Sequence, residues 1–149
     1  MVDNKQYLRI GLQGVDYLLP SGTSYVIEAR DQLEINDAPG AVIAAWQITP
    51  GTRTPAYSLD ADLNPLARDD WQRAVFLQTG GQPLGLIADE LQLLPREEVR
   101  VEPFTPLGPA PSAAGHVFGG AWVRAGQIPV LVFEPRALAA YLMNLGGSA

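Results

Sequence analysis

Fifteen glycines and thirteen prolines cut this 149-residue chain into short apolar runs, and that punctuation constrains its fold more than any other feature. Few runs are long enough for a helix of several turns, so the chain reads as a succession of short strands joined by tight turns. Residues 7–12 (YLRIGL) and 17–19 (YLL) flank QGVD and predict a hairpin. Residues 25–27 (YVI) follow a Ser-Gly-Thr turn, and residues 41–48 (AVIAAWQI) are broken by Pro50-Gly51 before residues 54–59 (TPAYSL).

The second half repeats the style. AVFLQ (74–78) and LGLIA (84–88) flank TGGQP, a hairpin signal because glycine accepts the positive φ of tight turns. EVRVE (98–102) alternates with the period of a half-buried strand. VFGGAWV (117–123) and IPVLVF (128–133) form a further predicted hairpin across Arg124-Ala125-Gly126-Gln127. Helical signal is confined to the C-terminal part, where Glu134-Pro135 opens RALAAYLMNL. Proline is tolerated at the first helical position, and Leu138, Tyr141, Leu142 and Leu145 fall on one face before Gly146-Gly147. A shorter helical turn is expected around residues 60–66, and PFTPLGPAPS (103–112) reads as a surface loop.

These segments amount to about ten strands in two groups, roughly residues 7–59 and 72–133. Strands this short favour closure into small barrels, which removes exposed edges. The expected fold is mostly β: two five-stranded lobes, the first over about residues 7–66 and the second over about 71–133, with a C-terminal helix at about 135–145.

Composition narrows the chemistry. There is no cysteine and a single histidine, His116, so a disulfide framework, a thiolate metal site and a second-histidine zinc site are excluded. A net charge of −6, with one lysine beside nine arginines, disfavours a nucleic-acid partner, which requires clustered basic residues. No apolar run approaches the ~20 residues that span a bilayer, and the opening MVDNKQYLRIG lacks a secretory pattern, so a cytoplasmic protein without membrane insertion is expected.

No catalytic constellation emerges. His116 lacks a neighbouring nucleophile and reads as structural or surface. Asp69-Asp70 and Glu97-Glu98 read as solvated turn pairs, because neighbours on a strand point to opposite faces. Gly80-Gly81 and Gly119-Gly120 do not sit between a strand and a helix as phosphate cradles do, and read as turn and close-packing positions. Trp122 is expected in the core and Trp71 as a cap on one lobe. For Trp46 core packing is favoured, with an exposed binding anchor as the alternative.

The order of these motifs resembles the CheW-like coupling domains of bacterial chemosensory systems, over residues 7–142. LRIGLQGVDYLLP resembles the family's opening strand, turn and "Tyr-Ala-Leu-Pro" strand. Val26-Ile27-Glu28, Pro39-Gly40 and Pro55-Ala56-Tyr57-Ser58-Leu59 follow in family order. Gly85-Leu86-Ile87-Ala88-Asp89-Glu90-Leu91 is similar to its Gly-Leu-hydrophobic-Val-Asp-Glu-Val strand, and Val132-Phe133-Glu134 to its final Leu-Leu-Asp.

One stretch departs from the pattern. Where the family carries Asn-Leu-Arg-Gly, this chain has Ile48-Thr49-Pro50-Gly51, keeping the glycine and offering Arg53 two residues later. The resemblance implies two SH3-like barrels and a non-enzymatic adaptor without a cofactor. Its partners would be a CheA-type histidine kinase regulatory domain, receptor tips or other CheW-like domains, in flagellar chemotaxis or type IV pilus motility. The candidate contact residues are Ile27, Glu28, Trp46, Ile48, Gly51 and Arg53. The alternative is a small-molecule-binding or enzymatic barrel whose inter-lobe cleft gathers carboxylates of perturbed pKa; a scaffold that only self-associates is a third reading.

Overall fold

The computed structural model describes residues 6–38, 40–78, 83–104 and 117–147. The turn at Gly80-Gly81, Pro39, His116 and most of the proline-rich segment lie outside the described residues. The N-terminal hairpin forms as predicted, with β1 (Gln6–Leu12) and β2 (Val15–Leu19) paired from Leu12↔Val15 to Leu8↔Leu19. Its turn is tighter than the four residues expected, because Gln13 and Gly14 both take positive φ (48° and 87°), the geometry that matches strand twist.

The remaining strands are β3 (Tyr25–Ala29), β4 (Glu34–Ile35), β5 (Ile43–Thr49), β6 (Thr52–Tyr57), β7 (Arg73–Leu77), β8 (Leu84–Ala88), β9 (Glu90–Pro95), β10 (Val101–Pro103), β11 (Phe118–Trp122) and β12 (Val130–Phe133). They form two sheets of six strands, in the orders β9-β1-β2-β12-β11-β10 and β3-β7-β8-β6-β5-β4. The mostly β class and the two-sheet plan stand, with six strands in each sheet instead of five. Sheet membership does not follow the division near residues 66–71. The first sheet combines the N-terminal hairpin with β9–β12, while β3–β8 form the second. The chain changes sheet at Asp89, whose amide donates to the Gly11 carbonyl (2.9 Å) and sets β9 on β1.

Both sheets repeat one connectivity. A lone strand leads through a 3-10 turn into a three-strand meander, and the meander's last strand pairs in parallel with a hairpin. In the second sheet the order is β3, the turn Arg30–Gln32, β4-β5-β6, then β7-β8; in the first it is β9, the turn Arg96–Glu98, β10-β11-β12, with the hairpin supplied from the N-terminus. The two units are therefore circular permutations of each other. A register shift falls at the same place in both, between Ile43 and Ala45 in β5 and between Phe118 and Gly120 in β11. A weak repeat accompanies it, ARDQLEI (29–35) against PREEVRV (95–101).

Each sheet's inner face encloses a small cluster, Ala45, Ala56, Trp71, Phe76 and Ile87 in one and Leu18, Val99, Val130 and Val132 in the other. Their outer faces share the largest cluster, which includes Ile10, Tyr17, Leu77, Leu86 and Phe133. Strand β8 is buried on both faces, which explains its unbroken LGLIA. Gly120 holds a close approach, since a Cβ there would lie 2.6 Å from the Glu102 carbonyl oxygen.

Helix α1 (Pro135–Gly147) starts at the expected proline, with Glu134 accepting from the Ala137 amide (2.6 Å), and lays Leu138 and Leu142 into the shared cluster. The helical turn expected at residues 60–66 is instead a loop. Asp60 accepts from the amides of Asp62 and Asn64, and Leu63 is buried at φ 67°. The hydroxyls of Tyr17 and Tyr141 donate to the Ala61 and Leu63 carbonyls, tying this loop to the other sheet and to α1.

Candidate protein-docking surface

The segment that departs from the family pattern forms the tip of the β5–β6 hairpin. Pro50-Gly51 is a two-residue loop closing the Thr49↔Thr52 pair, and Gly51 has φ 76°. Proline followed by glycine at positive φ is the arrangement of a type II turn, so retention of Gly51 is a backbone requirement.

Register then decides which side chains meet. Trp46 lies opposite Pro55 and Glu34, and Ile48 opposite Arg53, so strand alternation places these five residues on the outer face. The Arg53 guanidinium stands 4.1 Å from the Trp46 ring centroid, and its Nη2 lies 3.6 Å from Glu34 Oε1. The ion pair is more than half exposed and contributes little; the stacked cation contributes about 0.5–1 kcal/mol at such a site. Ile48 is 51% exposed beside them. Core packing, the favoured reading for Trp46, does not hold, because the ring is half-buried beneath an arginine and outside the buried clusters.

Thus Trp46, Ile48 and Arg53 come together, with Gly51 shaping the turn. Glu28 is on the opposite, inner face of its sheet, where its Oε1 accepts from Gln47 Nε2 (3.3 Å). Ile27, 40% exposed, is on the outer face of β3 across that hydrogen bond. Glu34 and Gln47 were not found from sequence; only the β4–β5 and β5–β6 registers bring them to the site. Trp71 is fully buried in the inner cluster of the second sheet, while Trp122 is half-buried with Arg124 4.0 Å above its ring. The β11–β12 tip so resembles the β5–β6 tip, with exposed Val123 and Ile128.

Where the chain crosses between the sheets at Asp89, the contacts beside the shared apolar cluster are ionic. Arg68, whose side chain is only 7% exposed, donates to both Asp89 oxygens and, through Nε, to Asp70 (2.8 Å). Asp89 also accepts from the Gln13 amide (2.6 Å). Burial pushes the Asp89 carboxyl up, but the hydrogen bonds from Arg68 and Gln13 and the Arg68 charge outweigh it and hold the pKa below the ordinary value. Asp70 is also lowered, chiefly by its hydrogen bond from Arg68. Both shifts run opposite to what a general acid requires. A cavity of about 500 Å3 lined by Arg9, Arg73, Asp89 and Glu90 opens here, and another of about 570 Å3 lies beside Arg30 and Trp71. Among the described residues no three metal-ligating side chains converge, and no helix is long and apolar enough to cross a membrane.

No family profile and no curated protein matches the chain. A solved structure does: the scaffolding protein TtCheW from Thermoanaerobacter tengcongensis, 18% identical, matches over 88% of this chain and 89% of its own, with a TM-score of 0.61. The two-sheet fold with its C-terminal helix is therefore one shared with a CheW scaffolding protein.

Proposed function

We propose that this chain is a non-enzymatic, cytoplasmic signalling adaptor of the CheW kind. It binds the regulatory domain of a CheA-type histidine kinase, receptor tips or other CheW-like domains, in chemotaxis or pilus motility. The observation that carries this reading is the position of Trp46, Ile48 and Arg53. They form a partly exposed aromatic, aliphatic and cationic set at the tip of the β5–β6 hairpin, where the family that the sequence resembles carries Asn-Leu-Arg-Gly. Aromatic and arginine side chains of this kind are the usual anchors of protein interfaces. Two barrel-like units packed on a shared apolar cluster suit an adaptor, since they offer two similar but unequal surfaces to different partners.

Calorimetric titration with the purified regulatory domains of the host's CheA-type kinases tests the proposal. Binding in the micromolar range, weakened by Ile48→Asp, is expected. Absence of binding to every kinase regulatory domain, receptor tip and CheW-like domain of the host would refute it.

A further inference from the structure

The second sheet does not close on itself, and its seam has a defined chemistry. Among the described residues strand β3 pairs with β7 alone. The Gln78 amide donates to Ser24 and the Arg30 amide to Gln72, which turns the main-chain groups of Val26 and Glu28 towards β7. By alternation, the N–H and C=O of Tyr25, Ile27 and Ala29 point the other way, along the sheet edge.

The opposite bank of the seam is β5. Its Thr49↔Thr52 pair closes a two-residue loop, so Thr49 and Gln47 direct their main chain to β6, and Ile48 directs its own away. Strand β4 covers β5 at Ala45 and Trp46, and Asn36 continues the pairing to Ala44. Among the described residues nothing covers Ile48, because the 3-10 turn Arg30–Gln32 draws the chain off before it can reach it. The Gln47–Glu28 side-chain hydrogen bond crosses the seam on the inner face, leaving Ile27 and Ile48, 40% and 51% exposed, on the outer face. Unpaired main-chain groups flanked by exposed branched aliphatics are the features that natural edge strands suppress with charge, proline or a bulge. Neither Ile27 nor Ile48 is such a device, and the one charge on β3, Glu28, points inward and is taken up by its hydrogen bond from Gln47.

We propose that this seam takes up an extended segment of a protein partner, which adds as a strand to β3. The edge supplies alternating donors and acceptors, which only an extended main chain matches, and the isoleucines require apolar side chains at alternate positions of that segment. Glu28 at the seam and exposed Asp31 beyond β3 select a segment without acidic residues. The inference rests on the adaptor reading and specifies its mode of binding.

The test is amide exchange and 1H–15N titration of the full chain with a short acetylated and amidated peptide of alternating Val and Thr, in parallel with the kinase regulatory domain. Exchange at Ile27, Ala29 and Ile48 is expected to slow about tenfold or more at saturation, as for newly hydrogen-bonded amides. Ile27→Pro removes the isoleucine side chain and an N–H that the β7 ladder does not use, so the sheet survives and peptide binding weakens about tenfold or more. Ile27→Lys, which keeps the backbone intact, should weaken it as well. Unchanged amides at Ile27 and Ile48 under saturating peptide overturn the proposal, as does protection that grows with protein concentration alone, which would assign the edge to a second copy. Kinase binding without protection at Ile27 overturns strand addition and spares the adaptor reading. Peptide protection without any kinase binding does the reverse.

Discussion

Replacing Asp89 with alanine should loosen the junction between the sheets. Asp89 is where the chain passes from β8 to β9, and its carboxylate ties together three segments: the Gln13 amide of the β1–β2 turn, the Arg68 guanidinium of the loop before β7, and its own strand crossing. Each charge-assisted bond is worth about 1.5–3 kcal/mol when buried. The carboxylate is 26% exposed and Asp70 still holds Arg68, so water and the remaining partner recover part of the loss. The net cost comes to roughly 2 kcal/mol, or about 4–8 °C in Tm for a chain of this length.

Urea unfolding at neutral pH measures this cost, with Asp70→Ala as the comparison that moves the midpoint less, since Asp70 is a surface carboxylate. The Arg68→Ala/Asp89→Ala double variant should cost less than the sum of the singles by about 1 kcal/mol, because the two side chains share a bond. The pH dependence has a definite sign. A carboxylate whose folded pKa is depressed contributes stability that is present above its unfolded value, about 4, and is lost as pH falls through the folded value. The gap between the native chain and Asp89→Asn should therefore be full at neutral pH and narrow below about pH 4. If Asp89→Ala costs no more than Asp70→Ala, or the gap widens in acid, the junction is not held in this way.

Three other outcomes follow from the geometry. Leu63 is 1% exposed at φ 67°, so Leu63→Ala loses about 2–5 kcal/mol of packing, and Leu63→Gly loses that packing as well but recovers about 1 kcal/mol of backbone strain. Thermal melts should find the glycine variant at least as stable as the alanine variant, the reverse of the usual order. Gly51→Ala meets nothing within 4 Å, so its cost of about 1 kcal/mol should be backbone strain alone, read in the same melts. Ile48→Asp should leave Tm within about 2 °C, because surface changes seldom exceed about 0.5 kcal/mol, while weakening partner binding about tenfold or more; a melt and a calorimetric titration of one preparation separate the two effects.

What could be read in the sequence was what neighbours in the chain decide. Gly14 and Gly126, both at positive φ, mark hairpins that form, and the Glu134-Pro135 start of α1 is a local capping event. Sheet membership is different in kind. A strand's own pattern states that it has a buried face, but not whose edge it joins, so the pairing of β9 with β1 across some eighty residues left no local trace. The same limit explains the site. Ile48 and Gly51 could be singled out because they occupy a motif, and Arg53 because it follows closely, whereas Glu34 reaches Arg53 only through the Glu34↔Trp46 register. Ile27 and Glu28, adjacent in sequence, part to opposite faces of β3 and take different roles, one exposed and one bound to Gln47. Exposure at these positions follows from a neighbour absent among the described residues: β4 is two residues long, and its brevity leaves the edge of β5 beyond Trp46, on the side away from β6, without a partner strand. A short strand is recorded in sequence only as a weak signal, so the feature that opens this sheet to a partner is also the one that sequence patterns express least.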